Sequence, residues 1–424
     1  MLVGRGKDSD LAGRRDGFVE ITCSDPKCFK SWSAADLARV VDMLGAAGTR
    51  YNAGEISKDV LHQLEQTTGL NCNPVGLIAD VSLRQYVDPI AVMTYDWVHN
   101  MLQDGTFTAE AHLFLKSCGP LGVTRADIHG YLKDEGWQFP NFSKGKAKQL
   151  HRVFDVHRVS ATQPDKIRCS CAEMLGLYGL LRHFFETRVG DRPEVRAEHT
   201  AFKAACHVMD LILQAKRCLA RPAEAAVQLE AAIGAQLRLH IAAYGTDHVK
   251  PKHHWLLDVP AQMQRDGCVL DAFIIERTHL TVKGIAEHVK NTHDFERAVM
   301  RGVTTMAFQS AATATYGDSL LGKVAVLPGY PSVLVADRMK LFTLQIAIDD
   351  VILRGESAGI VIACVCEGGV LFAIVETMVR ITRVSSHASA FKPTGFHEVW
   401  LASEVEHSIA WYGRPDGSWV VIRS

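Results

Sequence analysis

The sequence of 424 residues lacks several patterns that would place it in a special class of protein. It has no uninterrupted apolar run approaching about 18 residues, so no membrane-spanning helix is expected. Its first residues lack the apolar stretch of a secretion signal, so secretion is not expected. The formal net charge is only −1 at pH 7, so any binding of nucleic acid would have to come from a local cluster of basic residues.

None of the eleven cysteines forms a Cys-x-x-Cys pair, and their number is odd. A disulfide framework is therefore not expected, and a reducing intracellular compartment fits the sequence better. What is present is ordinary globular composition, with 47% hydrophobic and 22% charged residues. A chain of this length and composition can form two or three domains.

The chain changes character twice along its length. Residues 1–32 are polar and are predicted to be an irregular lead-in. From Ser33 to about residue 310 the pattern predicts helices, with two short strands at Gly76–Ala79 and Ile90–Tyr95. After about residue 325, short β-type runs separated by turns predict a β-rich domain over 325–424, of the small-barrel or sandwich type.

Two acidic residues have surroundings typical of divalent-metal ligands. Asp96 follows the apolar run Ile90–Tyr95, and Glu276 lies in a segment with helical periodicity. Enzymes that cut phosphodiesters with two metal ions need carboxylates, because Mg²⁺ prefers oxygen ligands. If Asp96 and Glu276 share a metal cluster, their carboxylates should lie within about 8 Å of each other.

Each acid also has a simpler interpretation. An Asp directly before a helical run is a favoured N-cap, and a Glu on a helix is commonly a solvated charge. His99, three residues after Asp96, could orient the carboxylate or a water molecule. Glu276, His279 and Lys283 share one helix face, which suits a metal and phosphate site and equally an ordinary ion-paired surface.

Two further groups of residues are candidates for ligand contacts. A basic run could contact backbone phosphates, although a solvated loop explains such a run as well. Its members are Lys144, Lys146, Lys148, Arg152 and Arg158. Several histidines could bind zinc, although their spacing is not diagnostic. The potential zinc ligands are His248, His253, His254, Asp258 and His279.

Several stretches, taken in order, resemble segments of CACTA-type DNA transposases. They span roughly residues 60–300, and their order carries the likeness more than any one of them. The stretches are Asn71–Asp80 followed by Asp96–Asn100, then Lys166–Tyr178, Lys250–Gly267 and Ile275–Lys283.

The resemblance implies an α/β plus all-β protein: a partial ribonuclease-H-like core over residues 33–310, with a helical insertion at about 105–245, followed by the small β-barrel-like domain. It also implies Mg²⁺ or Mn²⁺ as cofactor if the protein is active, DNA as partner, a nuclear location and an oligomer as a possible state. The implied catalytic and metal-binding residues are Asp96 and Glu276, the supporting residues are His99, His254 and His279, and the DNA-binding residues are Lys144, Lys146, Lys148, Arg152 and Lys283.

The family's first catalytic Asp, on an early strand, has no counterpart in this chain. Asp8, Asp10, Asp16 and Asp25 all stand in polar sequence with no predicted strand before them. A two-metal site without one ligand should catalyse little. The sequence therefore predicts a truncated, transposase-derived protein that is catalytically defective.

Two other functions remain open at the level of sequence. One is a non-enzymatic DNA- or protein-binding scaffold with a β-barrel interaction module. The other is a zinc hydrolase built on the histidines, which would need three ligands around one open position. Strands within residues 70–100 would favour the transposase core, and a helical middle would favour the scaffold.

Overall fold

The computed structural model describes residues 33–423 except 69, 75, 77, 87, 89, 91–93, 142, 159–165, 217–220, 272, 290–293, 314–317 and 342–343, together with three short strands before residue 21. The side chains at 2–3, 11–14, 17–20, 156, 222, 273–280, 310–313, 344, 407 and 409 are outside this description. The chain divides into two compact units, which consist of Met1–Leu113 with Ala197–Leu270 and of Phe114–Arg196 with Asp271–Ser424.

Most of the described chain before residue 314 is helical. The helices are α1 (Ala34–Asn52), α2 (Lys58–Thr68), α3 (Val81–Arg84), α4 (Trp97–Met101), α5 (Thr106–Cys118), α6 (Arg125–Asp134), α7 (Lys144–Ala147), α8 (Cys171–Phe184), α9 (Arg196–Lys216), α10 (Pro222–Tyr244), α11 (Pro251–Leu256), α12 (Val259–Asp266), α13 (Phe273–His288) and α14 (Phe295–Thr313). One π-helical turn, Phe185–Val189, continues α8. No helix in this part of the chain is long and apolar enough to cross a bilayer.

Local sequence explains where the helices begin and end. Ser33 caps α1 through a reciprocal capping box with Asp36, as its position before the helical pattern predicts. Although glycine is a common helix stop, Gly45 lies inside α1, which continues to Asn52. Pro222 stands in the first turn of α10, where its missing N–H costs no hydrogen bond, and Gly245 ends that helix with a positive φ of 83°.

The first unit is built around buried side chains of its helices. Trp97 and Met101 on α4 are fully buried, as is Phe107 on α5. Phe107 packs on Phe202 of α9 with 5.8 Å between ring centroids. Burial of large side chains of this kind supplies most of the folding free energy of such a unit.

The strands form three antiparallel sheets. They are β1 (Leu2–Val3), β2 (Leu11–Arg14), β3 (Gly17–Glu20), β4 (Ser319–Leu321), β5 (Ala325–Leu327), β6 (Tyr330–Ala336), β7 (Arg338–Leu341), β8 (Leu344–Ala347), β9 (Val351–Arg354), β10 (Ser357–Glu367), β11 (Val370–Ser385), β12 (Ala388–Leu401), β13 (Glu406–Gly413) and β14 (Trp419–Arg423). The largest sheet has the order β11-β12-β14-β13-β9-β10-β6-β5, with a further pairing of β11 to β10.

The β-rich character predicted for residues 325–424 is confirmed, and the described sheets of this region are antiparallel. Six strands pair in a ring, in the order β11-β12-β14-β13-β9-β10 and back to β11, and β6 and β5 extend the sheet from β10. Strands β4, β7 and β8 form a separate sheet. The described strands after residue 318 therefore do not all belong to one barrel.

Two predictions about local structure before residue 100 differ from the structure. The lead-in 1–32, predicted to be irregular, contains the small sheet β1-β2-β3. The predicted strands at 76–79 and 90–95 are wrong at their described positions, which are turns, bends or irregular chain. Residues 75, 77 and 91–93 lie outside the described part. Among the described residues of 33–310 there is no strand, so the sheet of a ribonuclease-H-like core is not seen there.

In the second unit, α8 is attached to the turn between β11 and β12. His387 Nε2 bonds the Gly179 carbonyl oxygen at 3.0 Å, and His183 Nδ1 lies 2.9 Å from Ser385 Oγ. Glu186 accepts hydrogen bonds from the backbone N–H and the hydroxyl of Ser386. These contacts hold the helical and β parts of the unit together.

The stability of this attachment should depend on pH through His183. Burial lowers the pKa of His183 from 6.5 to about 4. The unfolded chain takes up a proton near pH 6.5 and the folded chain does not, so stability is lost as the pH falls from 6.5 towards 4. We expect this histidine alone to remove about 1.4 kcal/mol per pH unit within that window. Urea unfolding at a series of pH values measures the loss. The variant His183→Gln should show a shallower dependence, and equal slopes for the two proteins would contradict the prediction.

Candidate nucleic-acid interface and the predicted catalytic residues

The carboxylate of Asp96 serves as the N-cap of α4. Its Oδ1 accepts a hydrogen bond from the Val98 backbone N–H at 3.1 Å, and its Oδ2 accepts one from the His99 backbone N–H at 3.2 Å. The same Oδ2 is in contact with Nδ1 of the His99 ring. His99 is thus placed to orient the carboxylate, which was one of the two roles suggested for it by the sequence. Both carboxylate oxygens of Asp96 accept hydrogen bonds from residues of α4.

Removal of the Asp96 side chain should therefore act as loss of a helix cap. We expect Asp96→Ala to lower the free energy of unfolding by about 1 kcal/mol, whereas Asp96→Asn, which retains a capping oxygen, should change it little. Urea titration of the three proteins measures both values. If Asn destabilised the protein as much as Ala, the charge and not the cap would be the important property of Asp96.

The second predicted acid lies on α13, but its side chain is outside the described residues. The same holds for His279, so the predicted separation of the Asp96 and Glu276 carboxylates stays a prediction. Lys283, on the same helix, is exposed, and its Nζ lies 4.0 Å from Glu287 Oε1, which is a solvated surface pair.

The histidines of the Lys250–Asp258 segment are structural parts of the first unit. His253 and His254 are 1% and 0% exposed, and His253 Nδ1 accepts the Lys250 backbone N–H at 3.1 Å at the start of α11. The ring of His253 lies 4.5 Å from that of His240 on α10. His254, predicted to support a catalytic site, is therefore a core residue.

A buried polar pair that sequence reasoning missed lies behind this segment. Glu110 on α5 and His240 on α10 are both 0% exposed, and His240 Nδ1 donates to Glu110 Oε2 at 2.7 Å. Gln236 Nε2 donates to the same oxygen at 3.3 Å. The other carboxylate oxygen, Oε1, accepts no hydrogen bond from the described residues. The only sequence signal was a single acidic residue among the apolar residues of α5.

The implied Mg²⁺ or Mn²⁺ site and the zinc alternative stay predictions, because each includes a ligand whose side chain lies outside the described residues. No group of three or more His, Cys, Asp or Glu side chains that could hold a metal ion occurs in the described part of the chain. The oxygens of Asp96 already accept hydrogen bonds, and the side chains of Glu276 and His279 lie outside the description. No catalytic step through a metal follows from these side chains.

The predicted basic run is exposed on the surface of the second unit. The side chains of Lys144, Lys146 and Lys148, in and directly after α7, and of Arg152 in the next 3-10 turn are all exposed. Among the described residues none of the three lysines is ion-paired to a carboxylate, and Arg152 reaches only the Gln149 side chain, at 3.4 Å. We call the stretch 144–152, which carries these four cations, the basic segment. Arg158, the fifth predicted member, pairs with Glu173 at 3.0 Å and is not included.

The chain before the basic segment is fixed to the β-sheet. Gln138 and Trp411 exchange two backbone hydrogen bonds, of 2.7 and 3.0 Å. Asn141 donates from its backbone to Asp350 Oδ1 at 2.8 Å and from its side chain to the Ile348 carbonyl at 2.9 Å. Burial raises the pKa of Asp350 to about 6.

The chain within and after the basic segment is fixed by apolar contacts. Leu150, Val153 and Phe154 are buried, at 5%, 0% and 2% exposure. Leu150 lies so close to α8 that a Cβ on Gly176 would stand 3.2 Å from its Cδ1. The four cations therefore project from a segment that is held on both sides, so binding an anion would cost less conformational entropy than on a free loop.

Comparison with known proteins found no matching family model, no similar curated protein and no similar solved structure.

Proposed function

We propose that this protein is derived from a transposase and binds DNA through the basic segment without cleaving it. The observation that carries the proposal is the set of four exposed cations that have no carboxylate partner among the described residues and stand on an anchored segment. Cations so placed gain affinity from each phosphate they neutralise, because condensed counterions are released. With a net charge near zero, the rest of the chain adds no general attraction for DNA.

The absence of cleavage is part of the same proposal. Its supports are the use of the Asp96 carboxylate as a helix cap and the helical or irregular character of the described residues in 70–100. The last feature favours the non-enzymatic alternative over a working catalytic core. The proposal includes an origin of residues 33–310 from a ribonuclease-H-like transposase core. Its support is the order in which the stretches that resemble CACTA-type transposases follow one another along the chain.

The proposal is tested by following binding and cleavage in one experiment. Purified protein is incubated with supercoiled plasmid and with short duplex DNA in the presence of Mg²⁺ or Mn²⁺. We expect retarded migration of the DNA and no nicked or linear plasmid. Nicking by the natural protein that disappears in Asp96→Asn would overturn the non-cleaving function, and the absence of any retarded band at low salt would overturn DNA binding.

A further inference from the structure

Strand β11 extends beyond its neighbour β10, so one edge of β11 is open over part of its length. The two strands have 16 and 11 residues, and their pairing ends at the partners Met378 and Ala358. Past Met378, β11 pairs with β12 alone among the described strands. Backbone N–H and C=O groups of a strand point to both of its sides, so some of those in Val379–Arg383 face no neighbouring strand. We call the stretch 379–383 the open edge.

The open edge is accessible along its whole length. Its five residues, Val-Arg-Ile-Thr-Arg, are all exposed, and the exposed fractions of Val379 and Ile381 are 57% and 55%. Among the described residues, only those of β12 form backbone–backbone hydrogen bonds with this stretch. An exposed strand edge that carries apolar side chains is a template for pairing with a further strand.

Positive charge surrounds the open edge. Two cations belong to it, a third lies opposite Val379 on β12, and a fourth reaches it from β14 through a shared carboxylate; they are Arg380, Arg383, Lys392 and Arg423. Among the described residues, Glu356 is the one carboxylate that forms an ion pair with any of the four, and it pairs with Arg380 and Arg423. Arg383 instead donates to the carbonyl oxygens of Ser385 and Ser386. Four cations with one paired carboxylate leave an excess of positive charge beside the open edge.

A small cavity lies at the start of the open edge, next to the first residue of β10. Its volume is about 300 Å³, and its lining includes Thr377 and Val379 of β11 and Ser357 of β10. A strand added beside the open edge would continue the line of β10, so one of its side chains would stand over this cavity. Arg354, also in the lining, already pairs with Glu398 at 3.0 Å, so the unbalanced charge is that of the open edge.

These features distinguish between the possible partners. Two copies of this chain that paired edge to edge would bring the arginines of one open edge against those of the other, and like charges across a strand pair are destabilising. Duplex DNA would meet the cations but would leave the backbone groups and the exposed Val379 and Ile381 without matching contacts. An extended peptide with alternating acidic and apolar residues matches the backbone, the apolar side chains and the charge together.

We propose that the open edge binds an extended acidic peptide segment of a partner protein, which adds a strand to β11. The main chain of the peptide pairs with the backbone of Val379–Arg383, and its carboxylates pair with Arg380 and Arg383. Its apolar side chains cover Val379 and Ile381. The interaction uses no residue of the basic segment, so it is a binding function separate from the proposed contact with DNA.

Fluorescence anisotropy of the whole chain with three labelled peptides tests the proposal. The first is Glu-Val-Glu-Val-Glu-Val-Glu, the second has Lys in place of each Glu, and the third is the acidic peptide with N-methyl groups on its three central residues. We expect saturable binding of the first, and binding about tenfold weaker or less for the other two, because one reverses the charge and the other removes main-chain donors. No saturable binding of the acidic peptide, or equal affinity for either of the other two, overturns the proposal.

Matched variants locate the binding. Arg380→Gln/Arg383→Gln should weaken binding of the acidic peptide about tenfold or more, because two charge-assisted contacts are lost. The control Arg297→Gln/Arg301→Gln removes the same charge from exposed positions on α14 and should leave the affinity unchanged. Melting curves confirm that each variant folds, and equal losses in the two variants would overturn the assignment.

Two further measurements separate this partner from the others. Dimerisation of the natural protein that Arg380→Gln/Arg383→Gln abolishes would assign the open edge to a second copy and overturn the proposal. A loss of affinity for duplex DNA in this variant as large as its loss for the peptide would assign the edge to DNA, with the same consequence. Loss of the cations of the basic segment should not affect peptide binding, so this proposal and the DNA-binding proposal fail separately.

Discussion

Replacement of His240 by Leu should lower the free energy of unfolding by about 3–5 kcal/mol, because it leaves the Glu110 carboxylate buried without its main partner. Glu110 is 0% exposed, and the remaining bond from Gln236 Nε2, at 3.3 Å, is the longer of the two that it accepts. A buried carboxylate that loses its donor must either be protonated or admit water, and both cost stability.

Two further variants separate the cost of the lost partner from the worth of the pair. The double variant Glu110→Leu/His240→Leu should recover most of the stability, since two apolar side chains leave no charge buried. Glu110→Gln, which keeps an oxygen to accept from His240, should cost less than His240→Leu. Urea unfolding of the natural protein and the three variants measures these differences. A loss of less than about 1 kcal/mol for His240→Leu would mean that the pair is hydrated or open in solution.

Replacement of the four cations of the basic segment by Gln should reduce the affinity for duplex DNA roughly 10³-fold near 0.1 M salt. Each neutralised phosphate contributes about −0.9 to the slope of log affinity against log salt concentration, so four contacts give a slope of about −3.6. A slope of this size corresponds to a factor of roughly 10³ or more in affinity between about 1 M and about 0.1 M salt. Fluorescence anisotropy with a labelled duplex measures the change.

The control for this variant removes the same charge elsewhere on the second unit. Its four substitutions are Lys133→Gln, Arg297→Gln, Lys323→Gln and Lys392→Gln, all at exposed positions. We expect the control to retain nearly all of the natural protein's affinity. Equal losses in the two variants would show that DNA binding depends on total charge and not on the basic segment.

Local patterns in the sequence predicted part of the fold. Short β-type runs predicted after residue 325 lie within strands, for example Gly359–Cys366 in β10 and Trp419–Ile422 in β14. Turn residues follow the same rule: Arg414–Gly417 form a turn, with a hydrogen bond of 3.0 Å from the Gly417 N–H to the Arg414 carbonyl. These features depend on residues close together in the chain. The predicted strand before Asp96 is wrong at its described positions because a short apolar run does not by itself specify a strand.

The sequence was less informative about the residues that matter for function. Glu110 and His240 are separated by 130 positions, so only the packing of α5 against α10 brings them together. His253 and His254 were attractive as ligands because imidazole binds metals, yet in the structure they fill the core of the first unit. The basic segment was recognisable from composition alone, but its anchoring through Asn141 and Leu150 was not.

The most direct test is the salt dependence with which the natural protein binds a short duplex in the absence of divalent ions. If four anchored side chains meet phosphates, log affinity should fall linearly with log salt concentration with a slope of about −3.6, and the DNA should be recovered intact. A slope near zero, or no measurable association at low ionic strength, would contradict the account.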